Sequence, residues 1–436
     1  MISTPVKPDV TIAHAVAKLD AWFETMRGPG GYGGPVAHWW QQSLLYTGAG
    51  LDWRYEGIIS GYLTLWERTG AEQWLAKARR AGDDLVAGQL PNGHFVASAF
   101  EINPASAGTP HEAACAGALL LLALALRQAK REGWHVYATA AQHNLEQFYL
   151  GQLWDKAARS FRDSPLVPSF VPNKAATACE TLFLQAELSG EAHWIEQYAL
   201  PNLDRILAHQ VRGGSYDGAI AQNSFGERVV DKYFPVYIVR CVPALLRGFT
   251  YTRQERYLDA AIRALLFVLR QVDVTGALPT AIYANGHKSH HPSWIAPLGD
   301  VLYVITLLRP HGLILATTAI EARLLAGQSP TGGIATATGF AGQANKRPSQ
   351  IPDFRDLLPV AGWCHKAFRY LASCVTGELP VVTSATYETE CTFGGRCLHY
   401  RETPDLIEAC NGQEPRYRWF KSASRPEVAR EEFWVR

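Results

Sequence analysis

The stretch QLPNGHF, residues 89–95, ends an apparent helix on a glutamine and turns through Pro-Asn-Gly before an aromatic. Related stretches return at QVRGGSY (210–216), QVDVTGA (271–277) and QSPTGGI (328–334). Together with Gln152, glutamines that close helical stretches fall at 89, 152, 210, 271 and 328, spaced by 63, 58, 61 and 57 residues. A period near 60 with so little scatter marks a structural repeat, in which each unit buries its apolar face against the next. Inside each period an apolar helix, a short turn, a more amphipathic helix and a long loop rich in Gly, Pro and Asn follow one another.

Hydrophobic periodicity predicts twelve helices, at 10–27, 53–69, 71–89, 111–130, 135–152, 171–188, 191–210, 231–250, 254–272, 294–308, 313–327 and 357–375. The short turns RTGAEQW (68–74), REGWH (131–135), LSGEAHW (188–194) and RPHGLI (309–314) allow only antiparallel neighbours, so the helices form hairpins. The first and last helices then lack partners, and each supplies the other if the chain closes into a ring. An open solenoid would need polar capping helices, and FRDLLPVAGWCHKAFRYLASC (354–374) is far from polar. The expected fold is therefore all-α: an (α/α)6 toroid of six helical hairpins over residues 1–376. In the remainder, 377–436, ATYETECTFGGRCLHYRET (385–403) alternates around Gly394-Gly395 and predicts a small β-hairpin appendage packed on the toroid.

Twelve helices in six hairpins, with glutamine-to-glycine turns opening the long loops, resemble the (α/α)6 toroid superfamily. It includes the six-hairpin glycosidases, related polysaccharide lyases, the N-acylglucosamine 2-epimerase group, and the terpenoid cyclase and protein prenyltransferase group. The resemblance spans residues 10 to about 376 and is architectural. QLPNGHF is also similar to the QxxxGxW repeat of squalene cyclases, but every copy lacks the final Trp. The DxDD acid motif is missing as well, since GDD at 82–84 lies within a predicted helix.

Composition fits a soluble globular protein: 47% of residues are hydrophobic, 19% are charged and the formal net charge is +1. Such a balance carries no electrostatic footprint for nucleic acid. The longest apolar run, AGALLLLALAL (116–126), is too short to span a bilayer and reads as a buried helix. No signal peptide pattern opens the chain, and the eight cysteines do not form a disulfide framework, so a cytoplasmic location is expected.

In such a toroid the first helix of each hairpin lines the interior. The long loops gather at the amino ends of these inner helices, where free N–H groups suit anionic groups. The residues expected there are Trp39, Asp52, Trp53 and Glu56; His111 and Glu112; Lys174; Arg228, Asp231 and Tyr233; and His291 with Trp294. Asp52 also reads as a helix cap. Asp231, placed in the first turn of the 231–250 helix beside Arg228 and Lys232, reads as a fixed anion that orients substrate. HKSHH (287–291) and the tail set Cys391, Cys397, His399 and Cys410 are weak zinc patterns with no HExxH or CxxC, and neither a metal nor another cofactor is expected.

Carboxylates and aromatics around a funnel suit a sugar, whose C–H faces stack on rings while its hydroxyls meet carboxylates. The expected function is a glycoside hydrolase or polysaccharide lyase acting on a small-molecule or oligosaccharide substrate. Glu112, Asp217 (in SYDGAI) and Asp231 are the acid/base candidates, with His111 as a lyase base. A sugar epimerase would use His111 and His291 as its pair. A terpenoid cyclase or prenyl-group enzyme, and a sugar-binding toroid without turnover, are the remaining alternatives.

Overall fold

The computed structural model describes residues 8–35, 46–47, 49–95, 109–163, 165–166, 168–340 and 351–433. Its inner helices are α2 (Arg54–Thr69), α4 (Thr109–Gln128), α6 (Pro172–Ser189), the pair α8 (Pro235–Val239) and α9 (Val242–Thr252), α11 (Leu298–Leu308) and α13 (Ala361–Ser373). Each packs on the next, and α13 returns to α2, so the inner ring is closed. The outer helices are α1 (Pro8–Thr25), α3 (Glu72–Ala87), α5 (Trp134–Asn144), α7 (Leu200–Ala208), α10 (Glu255–Leu269) and α12 (Thr318–Ala326). The sixth hairpin pairs α13 with α1. The fold is the expected (α/α)6 toroid.

Several expected helices start late: 294–308 begins at Leu298, after a strand at Ser293–Trp294, and 357–375 begins at Ala361. The stretch 231–250 is not one helix: Pro243 has no N–H to return to Val239, so the hydrogen bonding breaks between α8 and α9 and leaves Arg240 and Cys241 at the joint. Asp231 precedes Pro235 and lies between two short strands, Arg228–Val230 and Lys232–Tyr233, instead of in a helical turn. The stretch 313–327 forms a helix only from Thr318, where α12 begins.

Ring closure rests on missing side chains. A Cβ on Gly57 of α2 would lie 2.5 Å from the His365 carbonyl oxygen, and one on Gly61 would lie 2.4 Å from the Phe368 ring. Gly299 of α11 faces the Lys366 carbonyl at 2.4 Å on the other side. The last inner helix is thus wedged between two helices that offer it bare backbone, and close approach converts into dispersion contact along its length.

The repeated glutamines explain the period. Gln89 Nε2 donates to Ala140 O of α5 at 2.7 Å and to Gly93 O of its own turn at 3.2 Å. Gln210 does the same to Ala260 O of α10 (2.8 Å) and Gly218 O (3.3 Å), and Gln328 to Ala15 O of α1 (2.8 Å) and Gly332 O (2.9 Å). In each case the turn glycine sits against the carbonyl one helical turn further along the same neighbour. A Cβ on Gly93, Gly218 or Gly332 would lie 2.9, 2.1 or 2.2 Å from the carbonyl oxygen of His143, Arg263 or Lys18. Gly276 packs likewise on Ala319, but Gln271 turns back to Phe267 O, because α12 has not begun where its acceptor would lie. Gln152 lies inside a π-helical segment, Leu145–Leu153, and no such glycine follows it.

The tail forms the expected hairpin, Tyr387–Phe393 with Arg396–Glu402, turning through Gly394 and Gly395 at φ 56° and 76°. Three more strands, Leu406–Asn411, Glu414–Phe420 and Val428–Ala429, complete a five-stranded antiparallel sheet. Glu402, fully buried, anchors this sheet to the toroid: it accepts from Trp22 Nε1 of α1 (3.0 Å), Thr331 Oγ1 (2.9 Å) and Lys421 Nζ (2.9 Å). A buried ion pair is tolerated only when its remaining lone pairs are also satisfied, as they are here.

Gly332→Ala should cost about 2 kcal/mol or more, since the backbone is at φ +105° and the new methyl meets Lys18 O. Gln328→Ala should cost about 1–3 kcal/mol by stripping two carbonyls of their donor. Gly312→Ala, at φ +82° with nothing within 4 Å, is the control. Equal urea midpoints for Gly332→Ala and Gly312→Ala would show that the close approach is unimportant.

Candidate functional site

The inner helices carry a set of charges part-way down the ring. Glu56 stands in the first turn of α2, Glu180 in the middle of α6, Arg240 at the α8–α9 joint, Asp300 in the first turn of α11, and Lys366 and Arg369 on α13. Arg240 is the hub: its two terminal nitrogens reach Glu180 Oε1 at 2.6 Å and Glu56 Oε1 at 2.7 Å. Arg369 lies 3.6 Å from the same Glu56 oxygen and donates to Asp300 Oδ1 at 2.8 Å, while Lys366 pairs with Asp300 Oδ2. Three carboxylates and three cations balance on one connected floor. The side chains of Glu56 and Glu180 keep 13% and 15% exposure, whereas Asp300 keeps 2%, so the two glutamates are part-accessible and the aspartate is the buried root.

Position decides protonation. Burial pushes Asp300 up, but Lys366 and Arg369 together outweigh it and hold the carboxylate well below the ordinary range. At Glu180 the balance falls the other way: burial raises it, Arg240 pulls down, the neighbouring Glu56 charge pushes up again, and the carboxyl ends above its ordinary value. His365, buried at the contact with Gly57, is pushed well below the usual imidazole value by burial and by Lys366, so it is neutral, and its Nδ1 has no partner among the described residues.

Above the floor, at the amino ends of three inner helices, indoles form a wall. Trp53 and Trp363 lie 5.9 Å apart and Trp363 and Trp294 5.1 Å. Trp53 donates Nε1 to Gly362 O and keeps part of its surface open, whereas Trp294 is 1% exposed and backs the wall.

The other expected residues fall in several places. Asp52 is fully buried and holds Arg54 through both oxygens, at 2.7 and 2.8 Å, while Arg54 reaches Tyr32 O; its geometry is that of a brace at the start of α2. Lys174 pairs with Asp163 at 2.5 Å. Asp217 directly follows the QVRGGSY stretch, accepts from Gly213 N (2.7 Å) and pairs with Arg263 of α10 (3.0 Å), away from the six floor charges. Its carboxylate is held low, first by the Gly213 N–H and then by Arg263. Arg228 and Asp231 are exposed, on and just after the strand Arg228–Val230, and the hydroxyl of the buried Tyr233 is pushed up by burial and by the Asp231 charge. His111 and Glu112 stand in the first turn of α4 with side chains outside the described residues, as Trp39 is entirely. His291 borders a lateral cavity, not the floor.

Glu180, Arg240, Asp300, Lys366 and Arg369 are not among the residues expected from the sequence. Their signal is an isolated charge inside an apolar inner helix, as in ACETLF (178–183) and LGDVLYV (298–304). Among the described residues no group of three or more His, Cys, Asp or Glu could hold a metal ion, and no helix is long and apolar enough to cross a membrane.

No family model and no curated protein matches the sequence. Solved structures of the same fold do. Cellobiose 2-epimerase from Bacillus thermoamylovorans B4167 superposes with a TM-score of 0.61 at 11% identity, covering 83% of this chain and 98% of that one. A D-mannose isomerase gives 0.60 at 13% identity, covering 86% and 98%. An unsaturated glucuronyl hydrolase specific for heparin gives 0.56 at 11% identity, covering 84% and 95%. All are six-hairpin toroids, and at these identities the likeness is one of fold.

Asp300→Asn should cost about 3–5 kcal/mol, because Lys366 and Arg369 lose their shared anion in a place poor in water. The carboxylate's folded value lies below its unfolded one, so its contribution is present above about pH 4 and is lost as the pH falls. Urea unfolding between pH 2 and 7 should therefore show a steeper acid limb in the parent than in Asp300→Asn; parallel limbs would refute the assignment.

Proposed function

We propose that the protein is a carbohydrate-active enzyme that cleaves a glycosidic linkage on the funnel floor, with Glu180 as the acid and Glu56 as the carboxylate. The observation that carries this reading is the single guanidinium shared by two carboxylates, one of which is pushed towards its protonated form. A pair of neighbouring carboxyl groups with separated proton affinities is what glycoside hydrolysis requires. Glu180 gives its proton to the leaving oxygen as the C–O bond breaks. Glu56, paired with Arg240 and 3.6 Å from Arg369, supports the developing positive charge or activates the water that adds to the anomeric carbon.

The part-open face of Trp53 offers stacking for a sugar ring one level above, and His111 and Glu112 stand at the corresponding end of α4. Glu112, Asp217 and Asp231 were the carboxylates expected from the sequence, and single amide variants of them belong in the same assay. A polyisoprenoid would set hydrocarbon against the part-exposed polar groups Glu56, Glu180 and Lys366, at a desolvation cost that a sugar's hydroxyls avoid.

A second reading is favoured by His365, a neutral imidazole beside the floor: proton transfer at a sugar carbon, as an epimerase or isomerase performs. Products separate the two. New reducing ends indicate hydrolysis, an ultraviolet-absorbing double bond indicates elimination, and unchanged mass with altered chromatographic mobility indicates epimerisation or isomerisation.

Against a panel of neutral and acidic oligosaccharides, Glu180→Gln should lower kcat about 10²- to 10⁴-fold with the fold intact by circular dichroism. Parent activity should fall as the pH rises through a value above that of an ordinary glutamate. Full turnover by Glu180→Gln would remove Glu180 from the acid's role.

A further inference from the structure

A second cavity lies apart from the six floor charges. It holds about 640 Å³ between the end of α12, the loops before α11 and α13, and the first strand of the tail sheet. Its walls include Arg323, His291, Ser293, Asp356 and Tyr387, none of which belongs to the floor. The volume is in the range of small-molecule sites.

Arg323 sets the chemistry. Its one hydrogen bond among the described residues goes to Ser293 Oγ at 2.9 Å, and no carboxylate lies within ion-pair distance of it there. Every cation of the floor, by contrast, is paired. Burial pushes the Arg323 guanidinium below its ordinary value and Asp273 pulls only part of the way back, so an anion brought to it restores what burial removes. The planar fork of an arginine matches a carboxylate in two parallel hydrogen bonds.

Much of the remaining wall is apolar, including Ala326, Ala335 and Leu357, and its other polar groups are differently committed. Asp356 already accepts the backbone N–H groups of Phe340 (3.1 Å) and Asp353 (3.2 Å), and burial pushes it up to about 6, so it sheds its charge in mildly acid solution while its remaining lone pairs can take hydroxyls. Gly339, at φ +80°, keeps the space over His291 open: a Cβ there would lie 2.9 Å from the imidazole Nδ1. Tyr387, from the tail, contributes an amphipathic ring on which a hydroxylated molecule can lie.

We infer that this cavity is a binding site for a hydroxylated carboxylate of monosaccharide size, with its carboxylate on Arg323 and its hydroxyls towards Asp356, His291 and Tyr387. The site is built jointly by toroid and tail sheet, and the inference stands without the reading of the funnel floor.

Isothermal titration of the full chain tests it, with glucuronate as the probe, glucose as its neutral counterpart and inorganic phosphate as an anion without hydroxyls. Glucuronate should bind the parent about tenfold or more tighter than either, and about tenfold or more tighter than it binds Arg323→Gln. Glu180→Gln should bind glucuronate as the parent does. Should Arg323→Gln fail to fold, Tyr387→Ala and Arg323→Lys, which keeps the charge and loses the fork, must show the same weakening. No binding by the parent, equal binding by Arg323→Gln, or glucose or phosphate matching glucuronate overturns the proposal. Loss of binding in Glu180→Gln also overturns it, by moving the ligand to the funnel. Turnover on oligosaccharides reads the floor separately, so either reading can fail while the other stands.

Discussion

A glutamine amide carries two N–H groups, and at three outer-helix ends both are given to carbonyls: one on the next outer helix, one in the turn that follows. The paired glycine allows the same turn to touch that helix one turn further along. Two fixed contacts separated by a helical turn define an angle as well as a distance, and repeated around the molecule they set the tilt between neighbouring hairpins. A constant tilt is the geometric condition for a ring. With the outer layer held in this way, the inner helices converge closely enough for charges on separate helices to meet.

That convergence explains why the floor is tolerated. Six charged groups placed singly among leucines would each bear a large desolvation cost, and some would surrender their charge. Arranged as an alternating lattice around Arg240 and Arg369, each has an opposite neighbour. The break at Pro243 contributes directly, since Arg240 sits at the joint between α8 and α9. The lattice also differentiates its members: the same rules that keep Asp300 ionised leave Glu180 inclined to hold a proton.

The sequence discloses these layers unequally. Helices declare themselves through apolar stripes three and four residues apart, and hairpins through turns too short for any other geometry, so α2, α3, α4 and α6 fall within two residues of where periodicity puts them. The floor is less visible because it is made of pairs far apart in the chain, such as Glu56 with Arg240, and no local pattern records such a meeting. Attention to helix starts finds Glu56 but also Asp52, whose oxygens are taken by Arg54, and it passes over Glu180 and Arg369, which lie turns deeper. Asp231 shows the related hazard: the periodicity that places it in the first turn of a 231–250 helix runs across residues whose neighbours pair as short strands before Pro235. Charges interrupting an apolar inner helix are the residues that composition alone could have singled out.

The sixth hairpin has a further consequence, for the way the molecule comes into being. Its two helices, α1 and α13, are the earliest and latest of the toroid to be synthesised, so on the ribosome five hairpins can stack while the sixth is half made. During that interval α1 carries Trp22 and Phe23, both fully buried in the finished protein, with no α13 to cover them. The ring becomes a ring only when α13 slides between the bare glycines of α2 and α11, and Trp22 gains its acceptor only when Glu402 has been added after it. Folding of this chain is therefore committed late, and a nascent chain stalled before residue 361 is an open arc with two unsealed edges.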